Sequence, residues 1–108
     1  MENGHFFAVI KTGKSKLLVF DSLCNEETVK NLLNPVLNRF QKVQINKEKV
    51  QSDESNYCGI FASAFVLTYY KKRKFPDFFE MLEYNNLINN DHIISDYLTK
   101  LVKNIVRE

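Results

Sequence analysis

Residues 58–67, Cys-Gly-Ile-Phe-Ala-Ser-Ala-Phe-Val-Leu, are apolar or small at nearly every position. A helix built from them has no polar face, and such a helix has to be buried. Whatever this chain folds into is therefore assembled around that segment. Gly59, Ala62, Ser63 and Ala64 keep it slim enough to lie close against a sheet. The predicted helix starts at Tyr57 or Cys58 and runs to about Lys72. Lys71, Lys72, Arg73 and Lys74 place cations at its C-terminal end, where the helix dipole favours them. A polar loop, 47–56, leads into it. The Cys58 thiol thus stands at a helix start, where unpaired N–H groups and the positive dipole end both favour thiolate. Gly59 leaves room beside the sulfur for another backbone or a substrate. Gln51, seven residues before Cys58, carries an amide donor able to turn back toward the same place.

Upstream, residues 5–11 are rich in strand formers and apolar on both faces, as a central strand would be. Thr12-Gly13-Lys14-Ser15 is a turn signal, and 16–21 reads as a second strand, so the pair is expected to form a hairpin. Its register is open. A three-residue loop sets His5 directly opposite Asp21 on one face; a four-residue loop sets His5 against Ser22 and turns Asp21 away. A bulge could also rescue the pairing of His5 with Asp21. A helix is predicted from Glu26 to Leu33, broken or restarted at Pro35, with a short helical piece over 36–40. Residues 42–46 alternate like a third, edge strand. After the buried helix, Pro76 is expected to open a helix over 77–84. A last helix, 91–106, carries Ile94, Tyr97, Leu98, Leu101, Val102 and Ile105 on one stripe, with Asn90 or Asp91 as its cap. The expected fold class is α+β: a small antiparallel sheet of about three strands around a central helix that starts at the cysteine, followed by C-terminal helices.

Composition narrows the function classes. The 108 residues suffice for one small domain with one core, rich in aromatics through nine Phe and five Tyr. A net charge of +2 is too small to argue for nucleic acid or an anionic membrane as the partner, and a nucleic-acid binder would rest only on the basic run Lys71 to Lys74 and a few aromatics. Two cysteines, Cys24 and Cys58, make neither a disulfide framework nor a four-ligand zinc site, and His92 has no second ligand near it, so no metal or cofactor is expected. With no membrane-length apolar run and no signal-peptide pattern, the expected setting is a reduced intracellular compartment, cytoplasm or nucleus.

Four polar residues remain that together make a chemistry. A cysteine nucleophile needs a base, and histidine is the usual one near neutral pH. The base needs an orienting group, which Asp21 on the neighbouring strand can provide. The acyl oxyanion needs donors, available from Gln51 and the Cys58 backbone N–H.

The segments His5-Phe6, Val19-Phe20-Asp21-Ser22-Leu23, and Gln51 through Ser55-Asn56-Tyr57-Cys58-Gly59-Ile60-Phe61-Ala62 resemble the catalytic segment of the cysteine peptidases that include the adenovirus protease and the ubiquitin-like (SUMO) proteases. That resemblance implies a papain-like core, with His5 as base, Asp21 as orienter, Gln51 as oxyanion donor and Cys58 as nucleophile. It implies a protein substrate, either a ubiquitin-like modifier conjugate or a precursor polyprotein, and extends to proteases of viruses and large DNA transposons. Departures accompany it. Phe6 stands where the family usually has Trp, and Tyr57 where the SUMO proteases usually have Asp. Four residues precede His5, so the chain is expected to correspond to the C-terminal half of such a domain, with a partner chain completing the fold or with a protein-binding role in place of catalysis.

Overall fold

A computed structural model describes residues 5–71 and 75–107, with backbone alone for 75–77. Strand β1 (Ala8–Gly13) pairs antiparallel with β2 (Lys16–Phe20), and β2 pairs parallel with β3 (Lys42–Ile45). The order β1-β2-β3 makes β2 the central strand. The fold is α+β, but its sheet is mixed and not the expected antiparallel one. The cause lies between β2 and β3, where helix α1 (Glu26–Leu37) occupies most of the connection. A strand–helix–strand run of this length crosses over the sheet and returns in the same direction.

The hairpin register matches neither expected loop. Strand β1 continues through Gly13, Lys14 and Ser15 form a two-residue turn, and a shift between Lys11 and Gly13 absorbs the extra residue. Ala8 therefore faces Phe20. Carried past Ala8, this register sets Asp21 across from Phe7 and makes His5 its diagonal neighbour on the same side, within reach of a ring.

Ala8, Ile10, Leu18 and Phe20 face the principal core. Helix α2 (Cys58–Tyr70) lies there and buries Cys58, Phe61, Ala64, Phe65 and Thr68. Its apolar sequence leads to less burial than expected, because Ser63, Val66 and Tyr70 form a stripe that stays exposed. Phe20 and Phe65 stack with centroids 4.6 Å apart, and Phe78 meets both edge-on at 5.6 Å. Such pairs add about 0.5–1.5 kcal/mol each beyond area burial. Thr68 inside the core satisfies its hydroxyl on the Ala64 carbonyl and the Tyr97 hydroxyl, both at 2.7 Å. On the opposite sheet face Leu17 and Val19 are buried, and a groove between β3 and α1 is lined by Leu33, Leu37, Val43 and Ile45.

Helix α1 does not break at Pro35, which lies inside it. The lost Pro35 donor would have served the carbonyl of Asn31, and both residues are exposed, on the solvent side of the helix. Asn25 caps α1 by accepting from the Thr28 N–H at 3.2 Å. Helix α3 (Phe75–Glu80) is shorter than expected, and a 3-10 turn (Leu87–Asn89) leads directly into α4 (Asn90–Arg107). The side chains expected to cap α4 are used elsewhere. Asn90 bonds across to Val50 and Glu83, and Asp91 accepts from Ser55. Of the basic run predicted to end α2, residues 72–74 lie outside the described residues. Among the described residues no helix is long and apolar enough to cross a membrane.

Candidate active site

Asp21 leaves the end of β2 with no solvent exposure. A buried carboxylate needs several donors, and this one has them. Its Oδ1 accepts from His5 Nε2 at 2.7 Å and from the Leu23 N–H at 3.1 Å, and its Oδ2 accepts from the Asn25 N–H at 2.9 Å. The turn that supplies the two backbone donors is closed by the Cys24 N–H on the Asp21 carbonyl at 2.9 Å. It obliges Cys24 to adopt φ 56°, the left-handed region.

The carboxylate can only accept, so His5 carries its proton on Nε2. The other ring nitrogen, Nδ1, is buried and has no hydrogen-bond partner. In that tautomer Nδ1 is an acceptor, so the site holds an oriented, unengaged base. The next residue, Phe6, lies against α2: a Cβ built on Gly59 would stand 3.5 Å from its ring. Gly59 is therefore not demanded by close approach of the protein itself, since an alanine there would make an ordinary contact. The chain segment holding the base is thus laid beside the helix start that holds Cys58. A cleft of about 490 Å³ opens at this helix start, lined by Phe6, Asn56, Cys58, Gly59, Ile60 and Leu98 among others but not by His5.

Cys58 is the first residue of α2 and is 1% exposed. Its neighbour Tyr57 makes no side-chain cap bond to the helix start. Gln51 is also fully buried. Its Oε1 accepts from Ser22 Oγ at 2.5 Å, while its Nε2 donates to the Ser55 carbonyl at 3.0 Å and to Ser55 Oγ at 3.2 Å. Both amide hydrogens are thereby committed. An oxyanion beside Cys58 would have to draw one of them away from Ser55 or rely on the Cys58 backbone N–H.

No family model, curated protein or solved structure matches the chain. Its functional reading rests on this geometry.

Three residues with no part in the expected site turn out to hold it. Ser55 accepts from Gln51 and the Tyr57 N–H and donates to Asp91 at 2.9 Å, so the loop before Cys58 is tied to α4. Asn90, with no exposure, donates to the Val50 carbonyl at 2.8 Å and the Glu83 carbonyl at 2.7 Å and accepts from the Glu83 N–H. Asn46 faces Asp21 from the end of β3: it accepts from the Asp21 N–H and donates to the Asp21 carbonyl, both at 2.8 Å. A polar residue at a strand or helix end was the only trace of each in the sequence.

Proposed function

We propose that this chain is a cysteine-type peptidase of papain-like arrangement, with Cys58 as nucleophile, His5 as base and acid, and Asp21 as orienter. The observation that carries the reading is the His5–Asp21 pair, with its 2.7 Å bond to a fully buried carboxylate and a second ring nitrogen left without a partner. A buried, proton-accepting nitrogen without a partner costs stability unless something else needs it. A nucleophile to serve supplies that need.

In this reading Cys58 first gives its thiol proton to His5 Nδ1, and the resulting thiolate attacks the carbonyl carbon of a peptide or isopeptide bond and forms the C–S bond. The oxyanion is held by the Cys58 N–H, joined by Gln51 when one amide hydrogen leaves Ser55. His5, protonated on both nitrogens, gives the Nδ1 proton to the leaving amine as the C–N bond breaks. Water then passes a proton back to His5 while its oxygen attacks the thioester, breaking the C–S bond and restoring the thiolate–imidazolium pair. Asp21 keeps the ring in register and favours its charged form throughout.

A second reading has its own observation. Phe6, Val66, Tyr70, Val102 and Val106 are all exposed apolar side chains, and Gln51 holds its donors on Ser55. These fit a protease-like module that binds a protein partner and performs no catalysis.

Alkylation of Cys58 against pH separates the two, with Cys24→Ser in every protein to silence the other thiol. The peptidase reading expects fast alkylation at neutral pH that is lost in His5→Ala. Slow alkylation unchanged by His5→Ala would sink it and leave the binding module.

A further inference from the structure

We infer that Asn46 is a positioning residue for the His5–Asp21 pair, acting through the main chain of Asp21. The inference rests on the peptidase reading for its functional consequence, but its geometry stands apart from it. Strand β3 ends at Ile45, paired with Val19 of β2. Two residues past Val19, the ladder would need β3 backbone to meet the Asp21 peptide groups. The Asn46 side chain takes that place, because a primary amide carries the same donor and acceptor as a peptide. Its Oδ1 takes the Asp21 N–H and its Nδ2 serves the Asp21 carbonyl, both at 2.8 Å.

The amide cannot swing away, because its remaining hydrogen is held by the Glu48 carbonyl at 3.0 Å. Nor can its own backbone drift. The Asn46 N–H bonds the Val19 carbonyl at 3.3 Å, and its carbonyl accepts from Cys24 Sγ at 3.5 Å. Every polar group of Asn46 is therefore occupied, and all but the hydrogen held by Glu48 are spent on β2 and on the turn that follows it. The beneficiary is the one residue whose carboxylate orients His5.

The backbone of Asp21 is the pivot from which its side chain projects. Leu23 and Asn25 hold the carboxylate from the turn, and those bonds persist only if the turn keeps its place on the sheet. Without the clamp, two main-chain groups lose their partners and the pivot is free to shift. A shift of an ångström is enough to spoil a proton-transfer geometry. A simple cap on β3 would need only one of these bonds. The paired, opposite-sense bonds to a single residue fix both the position and the tilt of its peptide planes.

The test uses the full chain with Cys24→Ser and compares parent, His5→Ala, Asn46→Ala and Asn46→Gln. The glutamine variant keeps a buried-compatible amide but sets it one methylene off. Each is first checked for folding by urea denaturation. Two readouts follow: the 15N chemical shifts of the His5 ring, which report its tautomer, and Cys58 alkylation against pH. Read at a pH high enough for the ring to be neutral, the expected result is a single Nε2–H tautomer in the parent and a mixed one in both Asn46 variants. Alkylation at neutral pH should slow on the order of tenfold to a hundredfold, the usual cost of losing a supporting shell. Folded Asn46 variants with the parental tautomer and parental rate, alongside a slow His5→Ala, would overturn the inference. Failure of both Asn46 variants to fold would overturn it as well, since Asn46 would then be a residue of the fold and not of the site. A parental rate in His5→Ala would remove the peptidase reading instead, and the tautomer would still decide whether Asn46 positions the pair.

Discussion

Cys24 lies two residues beyond the buried Ser22, with its thiol donated to the Asn46 carbonyl. Burial, and next the nearby Asp21 carboxylate, push its pKa upward. It should therefore alkylate slowly at neutral pH and speed up only on the alkaline side, in contrast to an activated Cys58. The same shift bears on stability. The folded state keeps the thiol proton longer than the unfolded one, so this contribution is full below the unfolded value of about 8.5 and is lost as pH rises through the folded one. Urea midpoints at pH 7 and at pH 9.5 check it: the drop should be smaller in Cys24→Ser than in the parent. Ser55 gives a second residue-scale expectation. Ser55→Ala removes the acceptor of one Gln51 hydrogen, the acceptor of the Tyr57 N–H and the donor to Asp91. A loss of about 1–3 kcal/mol in equilibrium unfolding is expected. His5, Asp21, Gln51 and Cys58 stood out in the sequence only jointly, by their order and by the resemblance they carry, since each alone reads as an ordinary residue of its element. Ser55, Asn46 and Asn90 did not stand out. Each is an ordinary loop or end residue until a partner 25–40 positions away is known.

Among the elements, the buried helix and the three strands were legible from apolar pattern alone. The direction of β3 and the continuity of α1 were not, although the helix between β2 and β3 already implied a crossover. Pro35 misled because a proline is read as a break, whereas a single missing donor on a solvent face is tolerated at a cost. That cost is measurable: Pro35→Ala should stabilise the protein by up to about 3 kcal/mol, visible as a higher thermal midpoint. Helix α2 offers a companion case. The Gly59 site accepts a methyl at 3.5 Å from Phe6, so Gly59→Ala should raise stability by about 0.5–1 kcal/mol. If the missing Cβ serves an incoming peptide, the same variant should cleave substrates more slowly while melting higher. A lower melting point would show instead that Phe6 cannot give way.

For the molecule as a whole, Asn90 joins the loop before α2 to the α3–α4 connection. Asn90→Ala removes three hydrogen bonds at a site with no exposure, leaving the Val50 and Glu83 groups unpaired. An overall loss of about 3 kcal/mol or more is expected, a large share of a small domain's stability. It should lower the urea midpoint with little change in slope, because the surface exposed on unfolding stays the same. The spans these bonds close also order events in time. His5 meets Asp21 across 16 residues, Asn46 meets Asp21 across 25, and the ties from the 50–55 loop to the start of α4 span 36 and 40. Shorter loops close at lower entropic cost and tend to close sooner. On the proposed peptidase reading, a refolding chain would then seat His5 on Asp21 while the loop before Cys58 was still adrift. Cys58 reactivity would arrive late in folding, a clock for completion that no earlier intermediate could set off.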